Sequence, residues 1–316
     1  MIDQPSDMRK VSHLYYIQNL TMDAIARDLG TSRSTVSRLL TRAREEGIVR
    51  IEVQSPSDEM TEVELAIKSK YGVTAHVVPI PRNATDLDVV EGVCAAAAHV
   101  VTQFFDSHKS MGIAWGATTS AISRHLAPVH LTNTEVVQLN GAGNTQSSGN
   151  EFASDIVRRF ATAFGSRAHQ FAVPAIFDNP ATKTAMWKER SVRSVLDLHS
   201  KLDVVLFGVG SPRAKIPSHV YRGDYLDASD NNALSQFGVV GDAATIFYRA
   251  DGTYADIPLN ARSSGPDLEA LRKVPRRICV ASGKSKLLAI RGALNAGIVS
   301  NLVIDEPTAD WLARSI

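Results

Sequence analysis

Cys94 and Cys279 are the only thiols in this 316-residue chain, and they stand far apart in apolar surroundings. A pair so placed argues against a disulfide framework and for reduced core thiols in a cytoplasm. An excess of either charge is missing too, since 34 Lys and Arg face 33 Asp and Glu for a net charge of +1. Affinity for nucleic acid must therefore come from a local patch. No apolar run approaches the length expected of a membrane span, and the opening MIDQPSDMRK is polar and acidic, unlike a secretory leader. The nine histidines show no ligand spacing such as HExxH, so neither a metal nor another cofactor is expected. Internal repeats and low-complexity tracts are absent as well. What remains is a 44% apolar chain, long enough for two domains, one of them large.

The stretch from Met22 to Gly47 organises the N-terminal part. Ile25, Ala26 and Leu29 share one face of a short helix, which Gly30 ends because glycine adopts the left-handed conformation most easily. Thr31 or Ser32 caps a second helix with the buried stripe Val36, Leu39 and Leu40. Opposite that stripe lie Arg33, Ser34, Thr35, Ser37, Arg38 and Arg42, and with Ser32 they form the candidate DNA-contacting set. A solvated helical hairpin would share the periodicity but would carry Glu on its outer face. The layout is that of a helix-turn-helix, whose second helix enters the major groove. Thr31, where a bulkier apolar residue is more usual, is a small departure. Arginines as far as Arg50 supply the basic patch, diluted by Glu45 and Glu46. A preceding helix is expected over Met8 to Asn19, and IVRIEV after Gly47 alternates like a short strand.

Ser55-Pro56-Ser57-Asp58 reads as a helix start. The helix is expected to run to Tyr71, with Met60, Val63, Ile67 and Tyr71 on one seam and Gly72 as its stop. This divides the chain into a DNA-binding head at 1–53, a linker helix at 54–73 and a body at 74–316. From Ala75 onward, candidate strands AHVVPI, SMGIAW, EVVQLN, HQFAV, VVLFGVG, RICVA and LVI alternate with helices. The expected helices are Val89 to Phe105, Thr118 to Leu126, Glu151 to Phe164, Ala181 to Leu196, Lys284 to Ala296 and Pro307 to Arg314. Such alternation specifies a three-layer α/β fold with a mostly parallel sheet, its continuously apolar strands covered on both faces. A hairpin insertion is expected in TIFYRADGTY, turning at Asp251-Gly252.

Ligands of such sheets sit beyond the carboxyl ends of the strands, where five polar, glycine-rich clusters recur. They supply Gly116, Thr118 and Thr119; Asn140, Gly141 and Gly143; Gly208 and Gly210; Asp242; and Lys286, which follows Ser282-Gly283. Helix N-termini there favour anions, and an ionised Asp242 accepts from hydroxyls. Any one cluster could be ordinary turn chemistry. Their recurrence at one end of the sheet points to a carbohydrate. Trp115 offers either a stacking face or simple packing.

A helix-turn-helix head, WGATT, NGAG, GVG, GDAATIFY and ASGKSKLLAIRGALNAGIVSNLVID together resemble the SorC family of sugar-responsive bacterial transcription regulators. The resemblance runs over essentially the whole chain, and WGATT and ASGKSK are its most specific parts. It implies a body similar to sugar-phosphate isomerases and deaminases. It also implies a sugar, polyol or sugar-phosphate effector, operator DNA as partner, and a homo-oligomer, usually a homotetramer built as a dimer of dimers. Carried over, Thr118 and Thr119 would hold a phosphate or terminal hydroxyl, Asp242 sugar hydroxyls, and Lys286 the phosphate or an adjacent oxygen. The deaminases place Asp, His and Glu after the glycine strand. Here Ser211, Pro212 and Arg213 occupy that region, with His219 well downstream. A sensor without catalytic residues is therefore expected. The alternatives are a sugar-phosphate isomerase or deaminase-like enzyme with an appended DNA-binding head, and an architectural DNA binder, which would not need the polar crevice.

Overall fold

The computed structural model describes residues 5–49, 60–146, 150–215, 218–222 and 224–314. The chain divides into two compact units, Met1–Glu59 and Met60–Ile316.

In the first unit, helices Pro5–Ser12, Met22–Asp28 and Arg33–Glu45 enclose Met8, Val11, Ile25, Ala26, Val36, Leu39, Leu40 and Ala43. The first helix starts earlier than its periodicity suggests and continues as a π-turn over His13–Ile17. Thr21 caps the second helix by accepting from the Ala24 amide. Ser32, not Thr31, caps the third, accepting from the Thr35 amide at 3.2 Å. Gly30 lies between them at φ +61°, the left-handed turn that its lack of a side chain allows. Ile48 and Val49 are not in a strand, and the rest of the IVRIEV segment lies outside the described residues.

The Ser55–Asp58 helix start also lies outside the described residues. The helix there is Glu62–Tyr71, so Met60 precedes it rather than joining its seam. Its start is a capping box: Thr61 Oγ1 accepts from the Glu64 amide, and the Glu64 carboxylate accepts from the Thr61 amide. Ile67 is buried in the core of the second unit, and Lys70 Nζ donates to the Leu312 carbonyl at 3.5 Å.

The second unit holds a seven-stranded sheet, with neighbouring strands parallel throughout. Its strands are β1 (Thr74–Val78), β2 (Ser110–Ile113), β3 (Glu135–Gln138), β4 (Arg167–His169), β5 (Val204–Gly208), β8 (Arg276–Ala281) and β9 (Asn301–Asp305). Across the sheet they run β1-β9-β8-β5-β2-β3-β4. Alternate residues feed two cores: Val204, Leu206, Ile278 and Val280 one, Val205, Phe207, Cys279 and Ala281 the other. That two-sided burial is why these strands read as continuous apolar runs. From β2 the chain steps outward to β3 and β4, and after β5 it steps the opposite way to β8 and β9. β2 and β5 are hydrogen-bonded neighbours, so the direction of winding reverses between them. A crevice opens at their carboxyl ends.

Several sequence expectations shift. The hairpin pairs β6 (Gly241–Ala243) with β7 (Ile246–Tyr248) and turns at Ala244-Thr245; Asp251-Gly252 makes only a local turn after it. The expected helix Ala181 to Leu196 is two helices, Pro180–Met186 and Arg190–His199. The HQFAV strand lies earlier, at Arg167–His169. Helices His219–Arg222, Ala228–Gln236 and Leu268–Arg272 carry no clear periodicity in the sequence. Helix Asp86–Phe104, at 19 residues, is long and apolar enough to cross a membrane, contrary to the expectation from apolar runs. Its Val93, Cys94, Ala97 and Val101 are buried against the sheet, as in a core helix.

Leu39 is fully buried in the small head core. Leu39→Ala should cost about 2–5 kcal/mol, a large share of what so small a core supplies. Calorimetry should show the head's transition lowered and that of the body unmoved.

Candidate effector cavity and DNA-reading face

A cavity of about 130 Å³ sits at the β2–β5 crevice. Beyond β2, Gly116 caps helix Ala117–His125 without any side-chain hydrogen bond. The amides of that first turn have no intrahelical partner and carry the positive end of the helix dipole. Beyond β5, Gly210 exchanges backbone hydrogen bonds with Asp242, its N–H donating at 2.9 Å and its carbonyl accepting in return at 3.2 Å. A Cβ on Gly210 would stand 1.9 Å from Asp242 Oδ1 and 2.8 Å from Ser218 Oγ, so only glycine lets the carboxylate lie there. A Cβ on Gly208 would stand 3.3 Å from Thr118.

The β6–β7 turn closes another side. Ala244 and Thr245 both adopt left-handed backbone, at φ 48° and 66°, where neither residue type is at ease. Ser263 secures the turn by donating to the Thr245 carbonyl at 2.7 Å. Such strain persists where its surroundings over-determine it, often beside a ligand. Lys286 reaches the cavity from the end of the turn Lys284–Lys286, and Ser218, His219 and Arg222 from the loop and short helix after β5.

Three polar atoms that line it are buried without a well-formed hydrogen bond: Asn140 Oδ1, Ser218 Oγ and Asp242 Oδ1, the last approached by the Tyr221 phenol from behind the lining. Each forfeits the water it had in the unfolded chain, at about 1–3 kcal/mol. Burial pushes the Asp242 carboxyl up to about 6, against opposing pulls from the Tyr221 phenol, the Thr245 amide and the Lys286 ammonium. Burial likewise lowers the Lys286 pKa, with the Asp242 charge resisting. His219 is lowered by burial and by Arg222, which favours its neutral form. The cavity thus offers acceptors, hydroxyls, free amides and cations to one small ligand.

Of the effector residues expected from sequence, Gly116, Thr118, Thr119, Asn140, Gly208, Gly210, Asp242 and Lys286 all line this cavity. Gly141 and Gly143 do not. The Gly141 amide donates to Ser264 Oγ, and a Cβ there would stand 2.3 Å from the Val173 carbonyl, so this glycine serves packing. Gly143 lines a separate groove of about 760 Å³ with Phe177, Asp178 and Tyr225. Trp115 lies between the two, its indole N–H donating to the Gly141 carbonyl at 2.7 Å and its ring stacked on Tyr225 at 5.2 Å. It packs on Tyr225 and also lines the smaller cavity. Sequence reasoning missed Ser218, Arg222 and Thr245, and set His219 aside as too far downstream. The polar run SHVYR was the one available signal, but only the return of that helix over β5 brings it to the site.

On the head, Ser32, Arg33, Ser34, Ser37 and Arg38 are exposed, and Thr35 and Arg42 half-buried. Ser32 Oγ also meets Ser34 Oγ and Thr35 Oγ1 at 2.8 and 2.9 Å. Arg33 pairs loosely with Asp23 at 3.8 Å, whereas Arg42 is held by Glu46 at 2.8 Å. Arg38 has no ion pair among the described residues and stands open to a duplex.

The family described as "Putative sugar-binding domain" matches residues 55–313, and "Sigma-70, region 4" matches residues 5–46. The chain belongs to the SorC family of sugar-binding transcription regulators. Over 310 residues, 97% of each chain, it is 31% identical to the deoxyribonucleoside regulator of Bacillus subtilis. It is 26% identical to the sorbitol operon regulator of Klebsiella pneumoniae over 307 residues, 96% of each. The crystal structure of that full-length SorC superposes with a TM-score of 0.79 at 25% identity, covering 99% of both chains. A domain of a possible sugar-binding transcriptional regulator from Arthrobacter aurescens gives a TM-score of 0.77 at 48% identity, covering 83% of this chain and 100% of that one. As in other SorC-family chains, N-terminal helices with a helix-turn-helix accompany a parallel-sheet α/β body.

The raised Asp242 pKa sets a pH dependence opposite to that of a salt-bridged carboxylate. The folded state binds the proton more tightly than the unfolded chain, whose carboxyl titrates near 3.8. Its stabilising contribution is full below that value and lost as pH rises through about 6. Asp242→Asn should therefore stabilise the ligand-free protein at pH 7.5 by about 1–3 kcal/mol and flatten stability between pH 4 and 7. Urea unfolding of both proteins across that range checks the sign.

Proposed function

We propose that this SorC-family chain is a transcription regulator whose head, residues 1–53, reads an operator while its body, residues 74–316, senses a small hydroxylated effector. The segment 54–73, with helix Glu62–Tyr71, connects them. The observation that carries the reading is the cluster of three under-satisfied polar atoms, on Asn140, Ser218 and Asp242, around the small crevice cavity. Vicinal hydroxyls suit Asp242 and Asn140, and a phosphate or polarised oxygen suits the Ala117–Thr119 amides with Lys286. A sugar, a polyol or a sugar phosphate of a few carbons presents that combination.

The relatives' names support the operon side of the reading, one being a sorbitol operon regulator and another a deoxyribonucleoside regulator. A cytoplasmic location agrees with two buried free thiols. A single head has a small footprint, so a dimer or tetramer on a palindromic operator is expected, with half-sites about 34–36 Å apart or a multiple of that. The effector acts by binding the DNA-competent and DNA-incompetent arrangements with different affinity.

The enzyme alternative keeps one argument: His219 and Asp242 line the same cavity. Yet the His219 ring packs against Phe152 at 5.3 Å, and no second carboxylate lines the cavity among the described residues. Sugar phosphates incubated with the protein should stay unchanged by NMR, and turnover would restore the enzyme reading.

A thermal-shift screen of the full chain against sugars, polyols and their phosphates tests the proposal, with about 2.7 kcal/mol of stabilisation at a hundredfold excess over Kd. Asp242→Ala and Lys286→Ala should each weaken the hit by about 2–4 kcal/mol while leaving operator affinity without effector unchanged. Normal effector binding in both variants would move the ligand elsewhere. Arg38→Ala should weaken operator binding by about 1–3 kcal/mol if it reads a base. Fluorescence anisotropy with labelled operator measures this, and unchanged affinity removes Arg38 from the recognition role.

A further inference from the structure

Three helices of the body, Glu62–Tyr71, Leu287–Asn295 and Glu306–Arg314, pack side by side, the last of them in the middle. Inward they supply Ile67, Ile290, Ala293, Ala309 and Leu312 to the core. Outward each leaves one large apolar side chain in solvent: Leu65 at 53% exposure, Leu288 at 42% and Trp311 at 53%. Tryptophan is seldom left so open without a use, and it is enriched where interfaces concentrate their binding energy. Trp311 borders a cleft of about 560 Å³ whose other lining residues are Lys284, Glu306, Pro307, Asp310 and Arg314. The Lys284 ammonium stands over the indole, 5.4 Å from a ring centroid.

The charges around this cleft are what identify its occupant. Two cations and two anions flank the indole, and the Asp310–Arg314 pair is long, at 3.9 Å, with the Arg314 side chain 83% exposed. A strongly acidic or strongly basic partner would meet repulsion from half of them. A second copy of the same surface, related by a two-fold axis, sets each cation against the partner's anions.

We propose that this face is the surface through which two copies of the chain associate, with Trp311 as the buried anchor on each side. The surface includes helix Glu62–Tyr71, the first element of the body after the DNA-reading unit. Pairing there would bring together the two points at which the heads join their bodies. The inference rests on the dimeric reading above and names the surface responsible for it.

Charge reversal tests the proposal on the full chain. Glu306→Lys with Asp310→Lys makes the cleft wholly basic, and Lys284→Glu with Arg314→Glu makes it wholly acidic. By analytical ultracentrifugation at ten micromolar, each double variant should fall to half the mass of the unaltered protein. A 1:1 mixture should regain the full mass, because opposite variants complement across the two-fold. Trp311→Ser should fall to half mass alone, which serves if circular dichroism shows either charge variant to be misfolded. If the unaltered protein is an oligomer and all three variants keep its mass, or if folded charge variants fail to complement, the surface is wrong while the dimeric reading stands. If the unaltered protein is a monomer at that concentration, the dimeric reading fails with it.

Discussion

The cavity depends on one constraint: Asp242 is pinned by two backbone hydrogen bonds to Gly210, with its carboxylate over a residue that has no side chain. The pairing ties the β6–β7 hairpin to the end of β5. It carries a carboxyl group out of water, where Oδ1 has no well-formed hydrogen bond and only the Tyr221 phenol and the Thr245 amide approach the carboxylate. A group so placed destabilises the empty protein when ionised. The same burial makes each hydrogen bond from a ligand hydroxyl worth more, because the competing water is gone. In the proposed reading, stability is set aside locally for binding, as at other strained functional sites. The left-handed Ala244-Thr245 turn belongs to the same arrangement, since it lets β7 return beneath Asp242.

Around this carboxylate the remaining groups fall into two kinds. Asn140 and Ser218 carry orphaned polar atoms that suit a hydroxylated ligand in the proposed reading. The helix end at Gly116 and the half-buried Lys286 supply positive potential. Opposite demands on one small ligand give selectivity, because a neutral polyol leaves the cations unanswered and a bare anion leaves the acceptors unpaired. The connecting helix is fastened to the same body. Glu64 accepts from the Val77 amide at 3.0 Å as well as from Thr61, and Lys70 reaches the Leu312 carbonyl. A rearrangement of the β1 edge would therefore reach the start of helix Glu62–Tyr71, and one of helix Glu306–Arg314 its end.

The α/β alternation, the helix-turn-helix and most of the cavity residues were legible in the residues alone. Strands buried on both faces must be continuously apolar, a recognition helix must show an apolar stripe opposite a polar face, and loops at strand ends need glycine for close approach. Local chemistry of this kind leaves a local signature. The misreadings have a common origin. Gly141 carries the residue type of a sugar-site loop, yet it serves packing, because its amide meets Ser264 Oγ and the Val173 carbonyl leaves no room for a Cβ. Asp251-Gly252 has the better turn sequence, but the hairpin forms at Ala244-Thr245, where Ser263 and the Asp242–Gly210 pairing outweigh local preference.

By itself the sequence determined most of the strand–helix alternation, that the sheet is parallel and covered on both faces, and which face of helix Arg33–Glu45 is polar and exposed. These follow from periodicity, capping and turn residues, whose physics acts over a few positions. Only the tertiary structure decided that the winding reverses between β2 and β5, that Ser218, His219 and Arg222 return to the cavity, and that Asp242 is buried there. Those outcomes depend on strand order and on contacts between residues far apart in the chain, and no local pattern records the loss of water that gives Asp242 its character.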